Sequence, residues 1–446
     1  MKRLMVVVLA TTLWIAVTAY GAITGWWLTP VAPKGDARAF MNAAIAMGNT
    51  QSRGNIALVL MRNGTVYDEH FMPSVDRVDR NTRFPLASMS KWITAYGVMQ
   101  LAQAGTIDLD APVSSYLKHW QLPVGKFVNS GVTVRRLLSH TAGLTDGLGF
   151  GDYAANEAIP SVNASLRQPR TSSGIAAPIA VGREPGSAWD YSGGGYLILQ
   201  ALIEDVTGMP FAEWMQKEIF GPMGMHRATY AYIGGLDNAS KSYDSTGKQA
   251  ASYRYAAAAA TGLSASVGDL VTFAQAQLQA DRGSGRMLSP SHVDTMRQPH
   301  GRMLGADIWG LGVMLYAPTE SGDFIFGHDG SNEPAINSTL RINPDNGDAI
   351  IVLVTGNPAL ASSIGYEWTL WQTGVPDFLM LDRAMRSAII PLIAGLLFIV
   401  AVWVLFVLGQ RRMARRFASS RTTSGRHRQR TSSTASTSLV TSQPSP

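Results

Sequence analysis

The stretch Phe84-Pro85-Leu86-Ala87-Ser88-Met89-Ser90-Lys91 sets a serine three residues ahead of a lysine. Apolar residues then return every three or four positions, at Met89, Trp92, Ile93, Ala95, Val98, Met99, Leu101 and Ala102. That period predicts a helix, and Gly105 marks its stop. Ser88 falls at the helix start, with Lys91 one turn on along the same side. A serine hydroxyl needs a base before it becomes a nucleophile at neutral pH. A lysine serves as that base when burial favours its neutral form. The helix N-terminus adds partial positive charge for a developing oxyanion. Ser115 to Lys118 and Ser245 to Lys248 repeat the spacing, so spacing alone decides nothing. The competing reading of Ser88 is a helix N-cap with a solvated lysine one turn on.

The chain of 446 residues has 46% hydrophobic residues, enough for a substantial core, and no cysteine. Disulfides and thiolate chemistry are therefore excluded, and cysteine usage does not report a compartment. Met1-Lys2-Arg3 precedes a charge-free apolar run from Leu4 to Leu28, and a second such run covers Ala388 to Leu408. Each is long enough to cross a bilayer, which takes about 20 residues. The first reads as an uncleaved anchor (1–29) or as a signal peptide, with Ala19-Tyr20-Gly21 as a small-x-small site.

The net charge of +6 belongs to the ends. Lys2, Arg3 and eight arginines after Gln410 hold ten of the 37 basic residues, leaving 27 against 31 acidic ones between. A nucleic-acid surface is not implied. Positive residues beside apolar spans tend to stay cytoplasmic, so both ends are expected inside and residues 30–387 outside. Arg383 and Arg386 run against that bias. The tail 409–446 is rich in Ser, Thr and Arg and reads as a basic, disordered cytoplasmic segment near anionic lipid.

Within the body, residues 34–53 read as a short helix. Ile56 to Met61, Asn63-Gly64 and Thr65 to Tyr67 read as a β-hairpin with a tight turn. Thr133 is placed to cap a helix over Val134 to His140, and Thr141 to Gly186 reads as loop. Tyr196–Val206, Phe211–Ile219 and Ser266–Leu278 read as helices. Strands return at Asp323–Phe326, Ile336–Ile342 and Ala349–Thr355, followed by a helix over Ser362–Thr373. Strands at both ends with helices between imply one sheet closed by distant segments, hence a single domain over 34–378 and a second span at 388–408.

Two further motifs carry chemistry. Pro185-Gly186-Ser187-Ala188-Trp189-Asp190-Tyr191-Ser192-Gly193-Gly194-Gly195-Tyr196 is a Gly-rich turn leading into a helix, able to present the Tyr191 phenol. Phe326-Gly327-His328-Asp329-Gly330-Ser331-Asn332 ends a strand, where glycine lets a substrate backbone come close. His-Glu-x-x-His, Gly-x-Ser-x-Gly and clustered metal ligands are absent from the sequence, so neither a metal nor another cofactor is expected.

Taken in order, Ser88-Met89-Ser90-Lys91, Thr133 through Leu144, Pro185-Gly186 with Tyr191-Ser192, and His328-Asp329-Gly330 resemble the serine β-lactamase and penicillin-binding-protein superfamily. The nearest branch is the class C β-lactamase-like one, with its esterases and D-amino-acid peptidases. The resemblance spans roughly residues 38–375. It implies an α+β, β-lactamase/transpeptidase-like fold, an antiparallel sheet flanked by helices plus a helical subdomain. It further implies that Ser88 attacks a carbonyl, that Lys91 and Tyr191 share proton transfer, and that the backbone amides of Ser88 and Ser331 form the oxyanion hole. His328 and Gly330 occupy the outer positions of the family's Lys-Thr-Gly, and Gly193 stands where Tyr-x-Asn has asparagine.

The last two departures remove a permanent cation and a side-chain amide from the expected substrate contacts, each loss costing about 1–3 kcal/mol. The expectation is a membrane-tethered serine hydrolase, cleaving an ester or amide outside the cytoplasm through an acyl-enzyme, on a small-molecule or cell-wall substrate. The alternatives are an inactive ligand-binding or sensor homologue and a β-lactamase proper.

Overall fold

The computed structural model describes residues 2–75, 77–146, 152–170, 179–281 and 288–431. It contains two compact units, one of residues Thr29–Leu381 and one formed by the two ends of the chain.

The larger unit is built on an eight-stranded antiparallel sheet. Its strands are β1 (Ile56–Arg62), β2 (Thr65–Met72), β3 (Gly301–Met303), β4 (Ala306–Trp309), β5 (Met314–Pro318), β6 (Phe324–Asn332), β7 (Ile336–Asn343) and β8 (Asp348–Thr355). The order is β2-β1-β8-β7-β6-β5-β4-β3. The first strand pairs with the last, Ile56 opposite Val354 through Met61 opposite Ala349, so the sheet closes only when the two ends of this unit meet. The hairpin β1–β2 turns at Asn63 and Gly64, both with positive φ (52° and 75°), the geometry that favours Asn-Gly in a two-residue turn.

Side chains alternate between two cores, as a two-sided buried strand requires. From β8, Ala349, Ile351 and Leu353 join the larger cluster, which also holds α2 (Ser90–Gln103), α3 (Gly193–Thr207) and α4 (Val267–Asp281) residues. Ile350, Val352 and Val354 face the smaller cluster with α1 (Ala37–Gln51) and α5 (Leu360–Thr373). Helix α2 is buried nearly all round, Lys91 included. Trp92 at its start is fully buried and meets Phe273 and Phe326 edge-on, at 4.9 and 5.8 Å between ring centroids.

Several expectations need correction. The sixth strand is longer than Asp323–Phe326 and carries His328 through Asn332, because β7 supplies a partner for each of those residues. Strands β3 to β5 were not anticipated. The loop expected over Thr141–Gly186 contains a short helix, Val162–Arg167, and its residues 147–151 and 171–178 lie outside the described residues.

The second unit holds the helices Lys2–Ile23 and Ile389–Thr431. Two segments of this unit are long and apolar enough to cross a membrane by length and composition, Leu4–Ile23 (mean hydropathy 2.0) and Asp382–Arg416 (2.9), the second starting in the preceding short helix Leu381–Ser387. The Trp14 indole N–H donates to the carbonyl oxygens of Pro391 and Leu392 at 3.2 and 3.3 Å. Gly395 leaves room for that indole, since a Cβ there would stand 2.0 Å from it. The second helix runs on to Thr431, so the disorder expected from 409 onward does not hold over those residues; Ala and Arg extend a helix already nucleated. Residues 432–446 lie outside the described residues.

Truncating the Trp92 side chain empties the space between α2, α4 and β6. Trp92→Ala is expected to cost about 3–5 kcal/mol of unfolding free energy, read by urea unfolding of the purified chain, with a change below 1 kcal/mol contradicting this packing.

Candidate active site

The residues before Ser88 are fixed from three sides. Phe84–Pro85 pairs with Ser264–Ala265, and the Leu86 N–H donates to the Leu263 carbonyl at 2.9 Å. Ser338 of β7 donates its hydroxyl to the Leu86 carbonyl at 2.7 Å. Ala87 is held at φ 48°, a backbone conformation that costs energy for any residue with a Cβ. The Ser90 hydroxyl splints the turn, donating to the Ala87 carbonyl at 2.6 Å and accepting from the Leu263 N–H at 3.0 Å. Ser88 lies in the short 3₁₀ turn Ala87–Met89, and the residue preceding α2 is Met89, whose side chain makes no capping bond. The N-cap reading of Ser88 therefore fails.

Lys91 follows Ser88 by one turn, and its Nζ lies 3.2 Å from the Ser88 Oγ. Its other hydrogen bond is to the Ala260 carbonyl at 2.9 Å. The side chain is buried, and desolvation brings its pKa down to about 7 while the Asp146 carboxylate opposes that fall. Tyr191 comes in from the Gly-rich turn and hydrogen-bonds to Ser88; burial pushes its phenol well above the ordinary value. Lys91 Nζ stands 4.8 Å from the Tyr191 ring centroid. A half-buried hydroxyl, a buried amine near neutrality and a half-buried phenol thus meet at one place, although position 191 is a hundred residues away in sequence. The other two serine-lysine pairs are not built this way. Lys118, for example, is spent on the main-chain oxygen of Asp205.

On β6, pairing with β5 ends at Gly327, and the continuing edge meets the serine turn. Gly330 is required there: a Cβ would stand 2.2 Å from the Leu86 oxygen and 3.0 Å from the Ser88 nitrogen. Ser331 turns its hydroxyl to the Pro358 carbonyl at 3.0 Å. His328 is fully buried. Its Nδ1 lies 2.6 Å from the Asp329 carbonyl oxygen, an acceptor, so Nδ1 carries the proton. Burial and the neighbouring Lys91 lower its pKa to about 3, so the ring is neutral. Nε2 then bears a lone pair, buried and without a hydrogen-bond partner. Gly193 opens α3, buried, two residues beyond Tyr191.

Sequence reasoning missed the groups that hold Tyr191. Asp146 accepts from the Ser192 hydroxyl at 2.7 Å and from the Gly194 N–H at 2.6 Å, tying the Gly-rich turn to the stretch that follows His140. His140 takes the Ser192 N–H on Nδ1 at 3.1 Å, and its ring packs on Tyr191 at 4.4 Å. Trp309 covers both histidines, 4.9 Å from His140 and 5.4 Å from His328 between centroids. The motif around His140 was visible; the partner role of Asp146 had no signal in spacing. Among the described residues no group of three or more His, Asp or Glu side chains is arranged to hold a metal ion.

The sequence pattern of the Beta-lactamase family matches residues 38–369. The chain belongs to the Beta-lactamase family. Members of this family are serine hydrolases, among them penicillin-binding proteins and esterases. One relative is Penicillin-binding protein 4* of Bacillus subtilis, 33% identical over 148 residues, which are 33% of this chain and 30% of that protein. Another is Esterase EstB of Burkholderia gladioli, 29% identical over 194 residues, 39% of this chain and 45% of the esterase. The alignment thus spans under half the length of either relative. The structure of SurE with D-Leu superposes with a TM-score of 0.56 at 26% identity, covering 74% of this chain and 73% of SurE.

Gly330→Ala forces β6 away from the serine turn. It is expected to slow modification of Ser88 by a fluorophosphonate by about 10²-fold, the usual effect of roughly 1 Å of displacement, with the circular dichroism spectrum unchanged. A rate within twofold of wild type would show that β6 does not abut Ser88.

Proposed function

We propose that this protein is a membrane-tethered serine hydrolase that cleaves an ester or an amide outside the cytoplasm through an acyl-enzyme on Ser88. The observation that carries the reading is the Lys91 amine, 3.2 Å from the Ser88 hydroxyl and lowered to about 7 by burial. Neutral Lys91, with Tyr191 beside it, takes the Ser88 proton as Oγ adds to the substrate carbonyl. The oxyanion that forms is met by the main-chain N–H groups of Ser88 and Ser331. Collapse breaks the bond to the leaving alcohol or amine, which receives the proton by way of Tyr191 and Lys91. Water then adds to the acyl-enzyme, giving its proton to the same pair, and Ser88 is released with a proton restored. Atoms and charge balance without any cofactor.

His328 narrows the substrate. A neutral imidazole with a lone pair at Nε2 does not pair with a carboxylate as a lysine would. The favoured substrates therefore lack a carboxylate on that flank, which supports an ester or amide reading over a β-lactamase proper. The tether rests on the two apolar helices and on the Trp14 contact with Pro391, Leu392 and Gly395, which gives the N-terminal helix a partner to stay with. The lysine and arginine residues at both chain ends support a cytoplasmic position for those ends.

The detergent-solubilised chain is expected to be labelled by a fluorophosphonate once per molecule and to hydrolyse p-nitrophenyl esters. Ser88→Ala should lose labelling and about 10⁴–10⁶-fold of turnover, as loss of a nucleophile does. Labelling that persists in Ser88→Ala would remove the assigned nucleophile. In wild type the ester kcat/KM should rise with pH through about 7, as the Lys91 ammonium gives up its proton. Asp146→Asn removes the charge that favours the ammonium, so the rise should move to lower pH. A move to higher pH, or none, would contradict the coupling.

A further inference from the structure

Behind the site, on the opposite face of the sheet, lies a buried ionic cluster that the chemistry does not use. Arg341 of β7 has no exposed surface and reaches two carboxylates, Asp329 at 2.8 Å and Asp377 at 2.7 Å. Its guanidinium also donates to Thr339 at 3.2 Å and to Thr369 of α5 at 3.0 Å, and lies 3.7 Å over the Tyr316 ring of β5. Asp329 in turn accepts the Tyr316 hydroxyl at 2.8 Å and the Thr339 hydroxyl. Gly365 makes the room, since a Cβ there would stand 2.6 Å from the arginine Nε.

We propose that Arg341 and Asp329 are positioning residues: they hold the His328–Ser331 edge of β6 at the distance from Ser88 that acyl transfer requires. Strand alternation carries the argument. His328 and Gly330 point to the serine side, and Asp329, between them, points to the cluster. On its β5 side this stretch has no strand partner, because β5 pairs with β6 only up to Gly327; it is held by the pairing with β7 and, on the cluster face, by the bonds of Asp329 to Arg341, Thr339 and Tyr316. The residues themselves, Gly-His-Asp-Gly-Ser, have poor strand propensity. A buried ion cluster is a weak source of net stability, since apolar replacements often match it. What a forked guanidinium between two carboxylates does supply is fixed geometry. The third leg, Asp377, lies in the segment that closes this unit, so the position of β6 is also tied to the last residues before Leu381.

This inference rests on the hydrolase reading above, and the test separates the two. The full chain in detergent is compared with Arg341→Met and with the uncharged triple variant Asp329→Asn, Arg341→Met, Asp377→Asn. Three readouts are taken: Tm, the ester kcat and KM, and the fluorophosphonate labelling rate of Ser88. Arg341→Met should lower both Tm and kcat. The triple variant, which leaves no unpaired buried charge, should recover most of the Tm. Its kcat and labelling rate should nevertheless stay down at least tenfold, with KM within threefold of wild type. Recovery of kcat together with Tm would make the cluster merely structural and overturn the proposal. So would failure of both variants to fold. Absence of labelling in wild type would instead remove the hydrolase reading, and the inference with it.

Discussion

The structure depends on burying an amine so that it gives up its proton near neutral pH. An ammonium at Lys91 would have to be desolvated, and nearby charge compensates only in part: Asp146 favours the cation, and burial outweighs it. The balance leaves the amine close to neutrality beside a serine hydroxyl. Much of the surrounding architecture maintains that balance. Helix α2 is buried nearly all round, the Ala260 carbonyl accepts one amine proton, and His328 and His140 stay neutral for the same reason of burial. A cation at either histidine would press the amine further toward its free-base form.

Geometry comes from elements far apart in sequence. Ser88 is set by a strained turn that Ser90, Ser338 and Leu263 hold together. Tyr191 is set by a turn anchored on Asp146 and His140. The strand edge at Gly330 closes the third side. Each of these contacts is a hydrogen bond or a steric limit of ordinary size; their combined effect is to leave the hydroxyl, amine and phenol few alternative arrangements. The Ala87 conformation costs energy that these surrounding contacts offset.

Much of this was legible in the sequence. Period and punctuation read the helix after Ser88, the Asn-Gly hairpin, the closing hairpin β7–β8 and the Thr133 cap, whose hydroxyl accepts the Arg136 N–H at 3.3 Å. The order of motifs gave the family and brought Ser88, Lys91 and Tyr191 into one proposal. What was not legible depends on long-range contacts. Gly301–Met303, Ala306–Trp309 and Met314–Pro318 are short and weakly patterned, and they become strands by pairing one on the next outward from β6. Residues His328 to Asn332 have turn-like composition, and β7 overrides it. Asp146 and Arg341 look like surface charges until the fold buries them. Trp309 gives no hint in sequence that it covers two histidines.

The most direct test of the account is the ionisation of a single side chain. Lysine labelled with ¹³Cε and ¹⁵Nζ can be introduced into the chain, and the Lys91 resonance assigned by its absence in Lys91→Arg. Titration followed by NMR should show this amine losing its proton near pH 7, well apart from the other lysines. An amine that titrates with the rest, at about 10.4 as for a solvated lysine, would contradict the account at its base.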